Sequence, residues 1–193
     1  MTTNFDPETH RYEIDGRPVP SVTQVLRDMI PGWSASDWHL QRGRAVHACC
    51  AMIARGLDFS NDPQIDGQVR AARLWYAHTQ PLIVAVERAM FSCRYQFAGT
   101  PDLIVSRDGL VGVVDFKASL GPSVPYQLGA YSMLYAEHAR CAAPRWGWGV
   151  ELRENGTYRM SDGYDLKPYA QRFLALLSAY NTRRECKIKE VAE

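Results

Sequence analysis

Residues 97–117 read FAGTPDLIVSRDGLVGVVDFK, and two apolar runs rich in valine flank the dipeptide Asp108-Gly109 within them. Asp-Gly between such runs is typical of a β-hairpin with a type I′ turn, because both central residues of that turn need a positive φ. Counting outward from a two-residue turn places Asp102 on one strand directly opposite Asp115 on the other. The stretch therefore predicts two carboxylates side by side in a sheet.

A positive charge is expected beside these carboxylates. Directly opposed strand residues have Cβ atoms about 4.5–5.5 Å apart, where like charges destabilise a sheet. Carboxylate oxygens suit Mg²⁺ or Mn²⁺. Alternation along the strands puts Thr100, opposite Lys117, on the same face as the two aspartates, together with Lys117 itself. A metal ion beside a lysine fits hydrolysis of a phosphate ester. The alternative is an ordinary surface hairpin with two aspartates at its open end.

The same stretch resembles the core of the PD-(D/E)xK nucleases, because Pro101-Asp102 is followed by the tripeptide Asp115-Phe116-Lys117. The sequence GTPD at residues 99–102 and the later pair Gln127 and Tyr131 resemble the RecB-like and phage exonuclease branch. The resemblance implies a restriction-endonuclease-like core that cleaves DNA. It also implies that the glutamine and the tyrosine lie beside the active site and contact the attacking water or the phosphate.

Roles for the central residues follow from the same resemblance. It implies that Asp102, Asp115 and the backbone carbonyl of Phe116 bind a divalent metal. It implies that Lys117 assists the hydrolysis.

Two further candidate ligands lie outside this stretch. His47 follows Arg42-Gly43-Arg44 on a helix predicted from residue 34 or 36 to about residue 55, and this pattern resembles the helix that supplies a histidine ligand in RecB-like nucleases. Imidazole is a common metal ligand, and a histidine without a ligand role is the alternative. Glu87 interrupts the apolar residues of a strand predicted over residues 82–90. The resemblance implies an acid that approaches the metal through water, and a salt bridge to a neighbouring basic residue is the alternative.

The candidate contacts to DNA phosphates are arginines on two predicted helices. Arg42 and Arg44 are the first pair, and Arg70 and Arg73 are the second. A solvated basic face is the alternative for the second pair, which lies off the apolar stripe of a helix that begins after Asn61-Asp62-Pro63. Trp146 and Trp148 alternate onto one face of a strand predicted over residues 145–153. They either stack on unpaired bases or cover the core, and the large area that aromatic side chains bury favours the core.

The remaining pattern predicts one α/β domain over residues 1–193. A small hairpin around Asp15-Gly16 precedes a short helix that Ser21 and Gln24 open as a capping box. Beyond the central hairpin, we expect a helix to about residue 139, a strand pair around Asn155-Gly156 and a closing helix from near Asp165. This order predicts a central mixed β-sheet flanked by helices, with the catalytic core at about residues 40–135.

Composition restricts the class of protein. The chain has 193 residues, 46% hydrophobic and 22% charged, with a formal net charge of +1, so a DNA partner needs a local basic surface. We expect no membrane association, because no apolar run has transmembrane length and the N-terminus lacks a signal-peptide pattern. The five cysteines have no regular spacing, which predicts no disulfide framework. Some relatives carry an iron–sulfur cluster on four clustered cysteines, and we expect none here.

The sequence thus predicts a Mg²⁺- or Mn²⁺-dependent DNA exonuclease that acts on DNA with free ends. By the same resemblance, it is expected in the cytoplasm of a bacterial or phage-infected cell, in recombination, replication or repair. The expected partners besides DNA are a second copy of the chain, in a homo-oligomer, or a recombination protein. One alternative is a non-catalytic DNA-binding or assembly module, against which the presence of Asp102, Asp115 and Lys117 argues. Another alternative is a metal enzyme that acts on RNA or a nucleotide.

Overall fold

Among the described residues, three strands are followed by three α-helices, five strands, one helix, three strands and a last helix. The computed structural model describes residues 1–30 and 37–192, with side chains at all of these except residues 37–40 and 187–192. The strands are β1 (Thr3–Asp6), β2 (Arg11–Ile14), β3 (Arg17–Val19), β4 (Leu82–Val86), β5 (Met90–Ser92), β6 (Phe97–Gly99), β7 (Leu103–Arg107), β8 (Leu110–Lys117), β9 (Trp146–Leu152), β10 (Tyr158–Met160) and β11 (Tyr164–Asp165). The α-helices are α1 (Val22–Met29), α2 (Asp37–Ala54), α3 (Asp66–Thr79), α4 (Val124–Ala139) and α5 (Leu166–Ala192), and a 3₁₀ turn at Pro63–Ile65 precedes α3.

The central sheet has the strand order β10-β9-β8-β7-β4, with β11 also paired to β9. β8 and β9 are parallel and are joined through α4, whereas the other neighbours in this sheet are antiparallel. One face packs against α4 and α5, and the other packs against α2 and α3. The predicted α/β class, with a mixed sheet between helices, is confirmed.

The hairpin around Asp108-Gly109 has the register that its turn dictates. The two turn residues have φ values of 52° and 76°, as a type I′ turn requires. Arg107 pairs with Leu110, and the ladder continues through three further pairs to Leu103 and Val114. This part of the prediction is confirmed.

The ladder ends three residue pairs before the predicted pair of Thr100 with Lys117, so the expectation that these two residues lie opposite each other in the ladder is wrong. Its last pair is Leu103 with Val114, so the expectation that Asp102 pairs with Asp115 as ladder neighbours is wrong. Instead, the backbone N–H of Phe116 donates to Oδ2 of Asp102 at 2.6 Å. A side-chain carboxylate has replaced the backbone acceptor, and this keeps the start of β7 attached to the end of β8.

The single strand predicted over residues 82–90 is also wrong. β4 ends at Val86, and β5 begins at Met90 in a separate two-stranded sheet with β6. Between them, Glu87 has a φ of 45°, a left-handed conformation that is uncommon outside glycine and that breaks an extended strand. The N–H of Glu87 donates to the backbone carbonyl of Asp102 at 3.0 Å. Glu87 therefore lies at the end of a strand, where its side chain can turn toward Asp102.

The N-terminal hairpin and the short helix after it are confirmed. Asp15 and Gly16 both have a positive φ, and Ser21 and Gln24 form the expected capping box. The prediction did not include β1, which completes a three-stranded sheet in the order β1-β2-β3. The predicted start of the second helix, at residue 34 or 36, lies outside the described residues.

The C-terminal half follows the predicted order. α4 ends at Ala139, and β9 and β10 flank the turn that contains Gly156. Trp146 and Trp148 are half-buried against the core on the α2 and α3 side of the sheet, with ring centroids 4.8 Å apart. The expectation that they cover the core agrees with this position. Among the described helices, none is both long and apolar enough to cross a bilayer.

A test of this packing uses two helical glycines. A Cβ at Gly67 in α3 would lie 1.8 Å from the backbone oxygen of Glu154, whereas a Cβ at Gly43 in α2 would meet nothing within 4 Å. We expect Gly67→Ala to lower the free energy of unfolding by about 1–3 kcal/mol, because the backbones must separate. Gly43→Ala should leave it unchanged or raise it by up to about 1 kcal/mol. Urea denaturation measures both, and equal stability of the two variants would contradict the close contact.

Candidate active site

The candidate site lies where the C-terminal end of β8 meets α2 and α4. Asp115 and Lys117 are on β8, and Asp102 immediately precedes β7. The strand ends and helices on both sides of the sheet supply the remaining groups. These are His47 on α2, Glu87 after β4, and Gln127 and Tyr131 on α4. Their roles in a reaction remain predictions.

Asp102 is the buried centre of this arrangement. It is only 6% exposed, and besides the N–H of Phe116 its carboxylate contacts Nδ1 of His47 at 2.7 Å. Burial would raise the pKa of Asp102, but the charge and hydrogen bond of His47, together with the charge of Lys117 and the N–H of Phe116, lower it. Burial would likewise lower the pKa of His47, but the carboxylate of Asp102 raises it to about 9. Without a metal, the two side chains therefore form an ion pair.

His47, Glu87 and Asp102 form a possible metal-binding triad. One ligand atom from each residue lies within 4.8 Å of the others. Burial, and then the negative charge of Asp102, raise the pKa of Glu87 to about 8, which reflects two carboxylates held close together in a poorly solvated place. One imidazole and two carboxylates are a donor set that suits Mg²⁺ or Mn²⁺. The residues fit a divalent cation, for which His47 must give up its proton.

The buried Asp115 and the half-buried Lys117 form a second pair beside the triad. Nζ of Lys117 lies 2.5 Å from Oδ2 of Asp115, which is 1% exposed. Burial raises the pKa of Asp115 to about 6 although the charge of Lys117 opposes the rise. Burial opposes the charge on Lys117, but Asp115 and then Asp102 outweigh it and raise the pKa of the lysine. Lys117 is therefore held as a cation at the site.

Gln127 and Tyr131 line the same site from α4. Nε2 of Gln127 donates to the hydroxyl of Tyr131 at 2.9 Å and to Oδ1 of Asp115 at 3.3 Å. Oε1 of Gln127 is buried and has no hydrogen-bond partner among the described residues. A buried acceptor without a partner costs free energy, so this atom is placed to accept a hydrogen bond from a bound molecule.

The side chain of Phe116 packs in the core, and its backbone N–H forms a hydrogen bond in the site. Its ring is 1% exposed and packs edge-on against Trp75, with centroids 5.2 Å apart. Its N–H is the donor to Asp102. The predicted role of its carbonyl as a metal ligand remains a prediction.

The four arginines have different surroundings. Arg42 is paired with Glu154 at 2.6 Å and donates to the carbonyl of Gln64 at 3.0 Å, so it links α2 to two later segments. Arg44 is exposed on α2, one turn before the residue that contacts Asp102. The long-range partner of Arg42 carries no local sequence signal, and its bracing role was therefore not predicted.

The other two arginines lie on the exposed side of α3. Arg70 pairs with Asp66 one turn earlier, at 2.5 Å. The guanidinium of Arg73 lies 4.9 Å from the ring centroid of Phe59. Both remain exposed, so these contacts leave part of each guanidinium accessible.

A residue near the site that the sequence did not single out is Tyr12. Its hydroxyl lies 2.9 Å from Oγ1 of Thr100, which the prediction had placed opposite Lys117. The two residues are 88 positions apart, and no periodicity or motif connects them. Only the folded chain brings them together.

Two solved structures resemble this fold. A crystal structure of LHK-Exo in complex with dAMP is 13% identical in sequence, with 90% of this chain and 91% of that chain covered and a TM-score of 0.50. A crystal structure of an alkaline exonuclease, LHK-Exo from Laribacter hongkongensis, is 14% identical, with 87% of this chain and 93% of that chain covered and a TM-score of 0.43. No protein-family model and no curated protein matches the sequence. The first similarity shows a shared restriction-endonuclease-like fold, as predicted.

The triad predicts that loss of the Asp102 carboxylate weakens metal binding, whereas loss of an aspartate outside the site does not. Asp102→Asn removes the charge that holds His47 and one candidate ligand oxygen, and we expect Mn²⁺ affinity to fall by more than roughly 10-fold. Asp108→Asn alters a carboxylate at the hairpin tip that is 88% exposed, and it should bind Mn²⁺ like the wild type. Electron paramagnetic resonance titration of free Mn²⁺ measures both affinities. Equal affinities would argue against the triad as the metal site.

Proposed function

We propose that this protein is a divalent-metal-dependent DNA exonuclease of the PD-(D/E)xK type that acts on DNA with free ends. The observation that carries the proposal is the convergence of a possible metal-binding triad with Lys117, a half-buried lysine that is held as a cation. Both kinds of group favour hydrolysis of a phosphodiester, since negative charge grows on the phosphate oxygens as the bond to the leaving group breaks.

His47, Glu87 and Asp102 would hold Mg²⁺ or Mn²⁺ in this proposal, with Asp115 and the carbonyl of Phe116 as further ligands. When bound, the cation supplies positive charge to the phosphate and lowers the pKa of water. Asp102 has a second task, because its contact with His47 orients the imidazole.

Lys117 and Gln127 would act on the substrate directly. The ammonium of Lys117 offsets negative charge on a phosphate oxygen in the transition state. Oε1 of Gln127 accepts a hydrogen bond from the attacking water and thereby orients its lone pair toward phosphorus. The hydroxyl of Tyr131 contacts Nε2 of the same amide and keeps that oxygen directed into the site.

The choice of an exonuclease rests on two supports. The GTPD sequence and the later pair Gln127 and Tyr131 resemble the RecB-like and phage exonuclease branch, and the fold is similar to that of LHK-Exo. We place the catalytic core at about residues 40–135 of one domain. The same resemblance supports a role in recombination, replication or repair in the cytoplasm of a bacterial or phage-infected cell, with a second copy of the chain or a recombination protein as partner.

The decisive experiment incubates end-labelled linear DNA and closed circular plasmid with the wild type, with Lys117→Ala and with Lys167→Ala. The wild type should degrade the linear DNA with Mg²⁺ or Mn²⁺, spare the circle and lose activity in EDTA. Lys117→Ala should be slower by roughly 100- to 1000-fold, because a preorganised positive charge at the phosphate is gone. Lys167 is exposed at the start of α5, so Lys167→Ala should retain activity.

Two outcomes of this experiment would count against the proposal. If the wild type binds DNA and cuts neither substrate with any metal, the protein is a non-catalytic DNA-binding module. If it degrades RNA and spares DNA, the substrate class is wrong.

Arg42 and Arg44 provide a second test, which concerns substrate binding. Arg44→Gln should weaken DNA binding and reduce the slope of log affinity against log salt by about 1, since one phosphate contact is lost. Arg42→Gln should lower thermal stability, because it breaks the contacts to Glu154 and Gln64 that link α2 to these later segments. Fluorescence anisotropy at several salt concentrations, with melting curves, separates the two effects. A stability loss confined to Arg44→Gln would contradict these assignments.

A further inference from the structure

Tyr12 connects the N-terminal sheet to the segment that leads into the candidate active site. Tyr12 on β2 is 5% exposed, and its ring stacks on Phe5 at a centroid distance of 4.7 Å and meets Phe91 edge-on at 5.8 Å. These rings hold the aromatic body of Tyr12 in place. Its hydroxyl is thereby directed at Oγ1 of Thr100, 2.9 Å away.

Thr100 is two residues from the centre of the candidate site. The residue between Thr100 and Asp102 is the buried Pro101, whose ring fixes φ and leaves little freedom in this short segment. The backbone carbonyl of Asp102 in turn accepts from the N–H of Glu87. A change in the position of Thr100 is therefore transmitted to both carboxylates of the triad.

We propose that Tyr12 is a positioning residue for the metal site: its hydrogen bond to Thr100 fixes the backbone that carries Asp102 and, through it, Glu87. The N-terminal sheet lies outside the expected catalytic core at residues 40–135, yet it sets the spacing of two candidate ligands. The inference rests on the proposed function for the identity of the bound group, a divalent cation.

The hydrogen bond between Tyr12 and Thr100 can be removed with little change in the shape of either side chain. Tyr12→Phe deletes only the hydroxyl, because Phe5 and Phe91 still hold the ring. Thr100→Val deletes the other partner with little change of shape. Tyr158→Phe is the matched control, since the hydroxyl of Tyr158 on β10 lies 3.1 Å from Nδ1 of His78, and neither residue belongs to the site.

The test measures Mn²⁺ affinity by electron paramagnetic resonance for these variants and for the double variant, together with melting temperatures. Partners that orient metal ligands typically contribute 10- to 100-fold to affinity, and we expect about a 10-fold loss for Tyr12→Phe and for Thr100→Val. The double variant should lose no more than either single variant, because both remove the same hydrogen bond. Tyr158→Phe should bind Mn²⁺ like the wild type, whatever its melting temperature.

Each other outcome overturns the inference in a distinguishable way. Wild-type Mn²⁺ affinity in Tyr12→Phe means that Tyr12 does not position the ligands, and the proposed nuclease function is unaffected. An equal loss of affinity in Tyr158→Phe means that general destabilisation is the cause. If the wild-type protein itself binds no Mn²⁺, the proposed function fails and the inference fails with it.

Discussion

The hydrogen bond from the backbone N–H of Phe116 to the carboxylate of Asp102 is the contact on which the site depends. It replaces the backbone rung that would otherwise continue the β7–β8 ladder, so it is at once part of the sheet and part of the site. A buried carboxylate is costly unless it is paired and hydrogen-bonded. Phe116 satisfies one oxygen of Asp102 and His47 satisfies the other. The burial of Asp102 is thus compatible with a stable fold.

The raised pKa values in the site result from three carboxylates that lie close together at one end of the central sheet. Glu87, Asp102 and Asp115 repel one another in a poorly solvated place, and the pKa values of Glu87 and Asp115 are raised accordingly. His47 and Lys117 supply the compensating positive charge. A divalent cation would take over the compensation that the protonated His47 now provides, so binding of the ion and loss of a proton are linked.

The extent of prediction from sequence depended on the range of the interactions. The turn at Asp108-Gly109 and the capping box at Ser21 were predictable, because each is determined by residues within a few positions. The early end of the β7–β8 ladder and the left-handed conformation of Glu87 were not predictable. A hydrogen bond from a backbone N–H to a side-chain carboxylate produces no periodic pattern in the sequence. The brace at Arg42 was missed for a similar reason, because its partner Glu154 lies on a distant turn.

The large sequence separation between residues that contact each other at the site has a consequence for the order in which the protein folds. His47 and Asp102 are 55 positions apart, and Tyr12 and Thr100 are 88 positions apart. The hairpin of β7 and β8 can form early because its contacts are local, whereas loop closure between distant segments is slow. A nascent chain that has formed only the hairpin has two aspartates and no imidazole beside them. We therefore expect the metal-binding triad to form late, when α2 has docked on the sheet.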